Sequence, residues 1–381
     1  MSLRRLLFFV SIFALFSGIE ASSSDYGPNS TYRRQAARIA ASLDETTLAA
    51  QVLLTGIDGS ASLTPGMRAL LERIPVGGVM FFRFNLNTPK DDVKSFLSET
   101  AAAVTGRTGI PPFLAADHEG GLVHRFGPGI ERLPSAYSFW ELAQREGQAA
   151  ALSWAETLYS RSAREIRELG ITMVLAPVAE TLNNDNHRFL ETRSYGRDPN
   201  FTEAAASAYI KSMQAAGISC VVKHFPGNTA SDPHTHSSIL RVNRETLDEM
   251  ARPFAGIIRN LSPPAIMLSH VIVPAMDNKN ASLSRVVIED WLRGELGFQG
   301  IAMADDFAMA AIAASGLSPS AAAVEALNSG IDMIMIWPRD MNSVHTAILA
   351  ALRAGRLSRE RLLEAAERII AEKIRHGIIS E

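Results

Sequence analysis

The chain has 381 residues, 47% of them hydrophobic, and a formal net charge of -3. It can therefore bury a large core, and the balance excludes a broad basic surface for nucleic acid or anionic lipid. A neutral, polar partner such as a sugar suits it.

In chain order, Arg4 and Arg5 precede an apolar run, Leu6 to Phe16, and then the small-residue stretch SGIEASSS. This is the layout of a secretory signal, too short to span a bilayer. Residues 1–22 are read as that signal, with no stable membrane association after cleavage and a periplasmic or secreted mature protein. From residue 33 to 381 a single catalytic domain is expected, since no low-complexity linker interrupts the pattern.

That pattern is an alternation. QVLLTGI, GGVMFF, PFLAAD, TMVLAPV, SCVVKHF, AIMLSHV, GIAMADD and DMIMIW are short apolar runs, each compatible with a fully buried strand. Between them lie Ala-rich stretches with helical spacing, such as DDVKSFLSETAAAV, FTEAAASAYIKSMQAAG and SPSAAAVEALNSG. The last segment, SRERLLEAAERIIAEKIRHG, reads as a helix capped by Ser358 with Glu360 in its first turn. Eight strands alternating with helices predict an α/β fold, a single (β/α)8 TIM-type barrel. The open doubly wound sheet is disfavoured because LLTGIDGSASL after the first run lacks G-x-G-x-x-G. Cys220, the only cysteine, lies within GISCVVKHF and reads as a buried small hydrophobe.

In such a barrel chemistry gathers at the carboxyl ends of the strands. There the sequence has Asp117, His118 and Glu119; Glu180 and Asn183; Lys223 and His224; His270; and Asp305 with Asp306. A lone carboxylate in such a place serves equally well as a helix cap, but acids and bases converging from several strands fit a substrate with many hydroxyls. His234 and His236 with Asp232 raise the question of a metal, yet they lack the helical H-E-x-x-H spacing. No metal and no cofactor is expected. No G-x-S-x-G elbow is present either. Two-carboxylate glycoside chemistry is left. Asp305 at the end of GIAMA suits an attacking carboxylate, with Asp306 beside it in a supporting role. His234 can donate and then accept a proton near neutrality, with Asp232 fixing its ring.

Four stretches then form a recognisable set: DHEGGLVHRF, ETRSYGRDP, KHFPG and ASLSRVVIEDWLRGELGFQGIAMADDFAM. With them the chain resembles glycoside hydrolase family 3, and within it the single-domain bacterial β-N-acetylhexosaminidases, from QVLLTGIDG to the last helix. The resemblance implies that Asp305 is the nucleophile, that His234 assisted by Asp232 is the proton donor, and that Asp117, Arg125, Arg193, Lys223 and His224 contact the terminal sugar. The D-x-H loop implies the N-acetylglucosaminidase branch, acting on muropeptides or chitin-like oligosaccharides. A phosphorylase or β-glucosidase of the same family and a non-catalytic glycan-binding protein are the alternatives. The sequence departs from the family pattern at Asn228, where a second His is usual, in a shortened loop KHFPGNTASDPH that makes His236 the fallback donor, and at Ala304, where Ser is usual. The oligomeric state is not legible in these residues.

Overall fold

The computed structural model describes residues 30–379; the signal assignment to residues 1–22 lies outside them. Each of the eight apolar runs supplies one barrel strand: β1 (Leu53–Gly56), β2 (Gly78–Phe81), β3 (Phe113–Ala116), β4 (Met173–Val174), β5 (Ser219–Phe225), β6 (Ala265–Leu268), β7 (Ile301–Ala304) and β8 (Met333–Ile336). The strands are parallel and close in sequential order, with β8 pairing to β1 (Ile334 with Leu53) as β2 does on its other side (Gly78 with Leu54). Every residue of these eight barrel strands is buried. Helices cover the outer face while side chains fill the inner one, which is why these runs are continuously apolar rather than alternating.

The expected helices form at Lys90–Thr108, Pro199–Ala215, Pro319–Ser329 and Arg359–Arg375. Their ends follow the expected chemistry. Ser318 and Ser358 accept hydrogen bonds from the backbone N–H groups of Ala321 and Arg361. Gly330 ends its helix at φ 111°, a left-handed conformation that a side chain would strain. A helix at Thr31–Ser42, capped by Ser30, packs along the last helix and joins it through the Arg33–Glu367 ion pair. Among the described residues no helix is long and apolar enough to cross a membrane.

The two ends of the barrel differ in kind. At the amino-terminal end, Asp332 just before β8 is fully buried and takes Arg293, Arg361 and Arg368 at 2.6, 2.6 and 3.0 Å. Close by, Lys373 Nζ of the last helix donates to Oε1 of Gln51 at 2.9 Å and lies 5.5 Å from the Phe113 ring centre. These groups tie the closing helix to the strand starts. The carboxyl-terminal end carries the long loops, including a two-stranded hairpin, His118–Gly120 with Val123–His124, that follows β3.

Candidate active site

One half of the barrel mouth, above β3, β4 and β5, is a buried ionic network. Lys223 Nζ lies between two carboxylates, 2.9 Å from Asp117 Oδ1 and 2.7 Å from Glu119 Oε1. Arg125 donates to the other oxygen of Asp117 at 2.8 Å, and Arg193 grips Glu119 with two bonds of 2.7 and 2.9 Å. Burial alone would raise both carboxylate pKa values. The Lys223 charge, helped by Arg125 at Asp117 and by Arg193 at Glu119, outweighs it and holds both carboxyls below their usual range. Burial pushes Lys223 down, and its two carboxylates bring it back above the ordinary lysine value. All these groups are therefore charged at neutral pH, and their geometry is set before any ligand arrives.

Adjacent to this network, Glu180 after β4 accepts from His224 Nδ1 at 2.6 Å, from the Asn228 backbone at 2.6 Å and from the Asn228 side chain at 3.0 Å. An acceptor-only carboxylate fixes the proton on Nδ1 of His224 and leaves Nε2 for other partners. Consecutive residues of a regular strand point to opposite faces, yet Lys223 and His224 both engage mouth carboxylates. The β5–β6 register slips between Lys223 and Phe225, which breaks the alternation there. The Lys223–His224 peptide is cis, as are those before Pro177 and Pro226.

The opposite half of the mouth carries Asp305, half-buried, directly after β7. Its Oδ1 accepts from the Asp306 backbone N–H at 2.8 Å. The Asp306 side chain turns away: it accepts from the Ala308 N–H at 2.8 Å and from Trp337 Nε1 at 2.7 Å. Burial raises the pKa of Asp306. Behind the pair, His270 is fully buried and burial lowers its pKa, so it stays neutral, bonded to Ser282 at 2.7 Å and to the Asp306 carbonyl at 3.1 Å.

The loop after β5 brings Asp232 and His234 to the rim. Asp232 Oδ1 accepts from the His234 backbone at 2.9 Å and from its Nδ1 at 2.7 Å. Burial alone would raise Asp232, but these bonds outweigh it and its pKa is lowered. The ionised carboxylate again fixes the proton on Nδ1, so Nε2 is the nitrogen open to chemistry. Both side chains are about half exposed, 59% for His234 and 46% for Asp232. The loop is docked by its backbone: Ala310 and Ala311, five and six residues after Asp305, donate to the carbonyls of His234 and Pro233, both at 3.2 Å. His236 is exposed and its Nδ1 lies 2.7 Å from the Thr235 hydroxyl.

The eight residues singled out in the sequence thus fall into three groups at one end of the barrel. Asp117, Arg125, Arg193, Lys223 and His224 belong to the charged half, Asp305 to the facing half, and Asp232 with His234 to the loop docked beside it. Two partners were visible at strand ends without an assigned role: Glu119, which completes the Lys223 and Arg193 pairs, and Glu180, which orients His224. Asn228, a departure from the family pattern, is buried and satisfies Glu180. Trp337 was not singled out at all; its place as the last residue of the eighth apolar run was the only signal.

The chain is similar to known proteins in sequence and in fold. Residues 51–371 match the family described as Glycosyl hydrolase family 3 N terminal domain. The chain is 32% identical over 292 residues to a beta-hexosaminidase of Stenotrophomonas maltophilia (strain R551-3), covering 75% of this chain and 83% of that one. To a beta-hexosaminidase of Xylella fastidiosa (strain 9a5c) it is 34% identical over 312 residues, covering 81% and 88%. Among solved structures, a glycoside hydrolase family 3 beta-N-acetylglucosaminidase from Paenibacillus sp. str. FPU-7 superposes with a TM-score of 0.80 at 30% identity, over 89% of this chain but 64% of that one. The fold is shared with a beta-N-acetylhexosaminidase from Beutenbergia cavernae DSM 12333, TM-score 0.78 at 24% identity, over 87% and 99%. With the family's span covering nearly all of the barrel, the chain belongs to glycoside hydrolase family 3.

Proposed function

We propose that the protein is a retaining exo-β-N-acetylhexosaminidase that removes a terminal, non-reducing β-linked N-acetylglucosamine. Asp305 attacks the anomeric carbon and forms a glycosyl ester while Nε2–H of His234 protonates the departing oxygen. His234, now neutral, then takes a proton from water as that water cleaves the ester. The single observation behind this pairing is the docking of the His234 loop onto residues 310–311, which joins a histidine and a carboxylate 71 residues apart in sequence.

Asp232 keeps the ring oriented through both steps. The charged half of the mouth receives the terminal sugar, whose hydroxyls meet Asp117, Arg125, Arg193, Lys223 and His224. Such charge-assisted bonds are about twice as strong as neutral ones. The names of the relatives support N-acetylhexosamine as the group removed, and muropeptides or chitin-like oligosaccharides are its proposed sources. The basic and apolar amino terminus supports action outside the cytoplasm, which amino-terminal sequencing of the mature protein checks.

Trapping with a fluorinated N-acetylglucosaminide and mapping the labelled peptide tests the nucleophile; a label anywhere but Asp305 refutes the assignment. Chromogenic β-N-acetylglucosaminide should be released faster than β-glucoside, with no dependence on added phosphate. A faster glucoside, or sugar 1-phosphate as product, overturns the substrate or the reaction. His234→Ala should slow substrates with poor leaving groups far more than activated ones, and equal losses on both remove His234 as donor.

A further inference from the structure

We propose that Phe84 is the stacking platform for the sugar on the leaving side of the scissile bond, and that Phe82 and Trp337 hold it in place. This rests on the glycosidase reading above and assigns the half of the mouth that the charged network leaves unused.

Three aromatic rings rise from the neighbourhood of Asp305 to solvent. Trp337, after β8, donates Nε1–H to Asp306, whose own N–H bonds Asp305. Phe82, after β2, stacks on Trp337 at 4.9 Å with 9° between the planes. Phe84 stacks on Phe82 at 6.0 Å and 7°. Trp337 and Phe82 are half-buried, whereas Phe84 is 54% exposed, uncommon for a ring of this size.

The stack is built rather than incidental. Gly56 closes β1 beneath it: a Cβ there would lie 3.2 Å from Trp337 and 3.3 Å from Phe82, so a side chain at this position would crowd both rings. The turn that bears Phe84 is pinned by buried Asn85, which accepts from the Phe82 N–H at 2.8 Å and donates to the carbonyls of Gly59 and Ile57 at 2.7 and 3.2 Å. Phe84 is thus an exposed ring on a fixed backbone, its orientation set by the two rings behind it, and it loses little freedom on binding.

An aromatic face attracts the weakly positive C–H groups that line one face of a pyranose. The charged network above β3 to β5 suits the hydroxyl-rich terminal sugar. The ring stack above β8, β1 and β2 occupies the adjoining arc of the mouth, and climbs out of it as the leaving portion of the substrate must.

The test compares N,N′-diacetylchitobiose, which places a sugar on the leaving side, with methyl β-N-acetylglucosaminide, which does not. Phe84→Ala should lower kcat/KM on chitobiose by about 5- to 10-fold, chiefly through KM, and leave the methyl glycoside unchanged. Phe84→Trp should restore chitobiose. An unchanged chitobiose rate, or equal losses on both substrates, overturns the platform. Turnover of the methyl glycoside by the unaltered protein tests the functional reading separately: its absence removes both, whereas turnover without a Phe84 effect removes the platform alone.

Discussion

Replacing Lys223 by Met tests the electrostatic account of the site most directly. The methylene stem is kept and only the charge between Asp117 and Glu119 is lost. Those carboxylates are buried, with side-chain exposures of 13% and 3%, and Lys223 lies 2.9 and 2.7 Å from them. Removing one partner of a buried ionic pair leaves an uncompensated charge and costs about 3–5 kcal/mol. Arg125 and Arg193 each still hold one carboxylate, which places the expected loss near the lower end. The pH dependence distinguishes this cause from lost packing. In the native protein both carboxyls are held below their unfolded values, so their stabilisation is present above the unfolded range near pH 4 and is lost as pH falls through the folded values. Without Lys223 the largest charge opposing burial is gone and both folded values move up from their native positions. The variant then takes up these protons at higher pH than the native protein does, so its deficit shrinks as pH falls. Urea unfolding followed by circular dichroism should show the full deficit at pH 7.5 and a clearly smaller one at pH 5. A deficit under about 1 kcal/mol, or one independent of pH, refutes the network as described.

Two further outcomes concern the opposite end of the barrel. Asp332→Asn leaves Arg293, Arg361 and Arg368 without their shared carboxylate; thermal unfolding should show a loss of about 3–5 kcal/mol, while KM of the folded enzyme stays unchanged. Lys373 is held down to about 7 by burial. Between pH 7 and about 10.5 the unfolded chain keeps this proton and the folded one does not, so stability rises with pH by up to about 1.4 kcal/mol per unit from this group. Lys373→Met should flatten that part of the stability profile, and an unaltered slope excludes Lys373 as its source.

Much of this protein is determined by local pattern. Eight apolar runs long enough for one buried strand each, separated by capped helical segments and without a Gly-rich turn after the first, point to the closed parallel barrel rather than the open doubly wound sheet. The same pattern singles out Asp305, since a carboxylate directly after a barrel strand is aimed into the mouth by the strand itself. Pairings between distant segments are another matter. That Glu119 shares Lys223 with Asp117 while Glu180 takes His224 and Asn228 depends on the closure that sets β3, β4 and β5 side by side, and on the register slip at Lys223, which no periodicity encodes. The Asp232–His234 contact is local, two residues apart, and was legible; its docking beside Asp305 is made by backbone groups of residues 310–311, which carry no sequence signature. The Trp337–Phe82–Phe84 stack joins the last strand to the second across the seam of the barrel, with Gly56 between. Only the three-dimensional closure brings those residues together, since ring stacking depends on distance in space and they are separated by more than 250 positions along the chain.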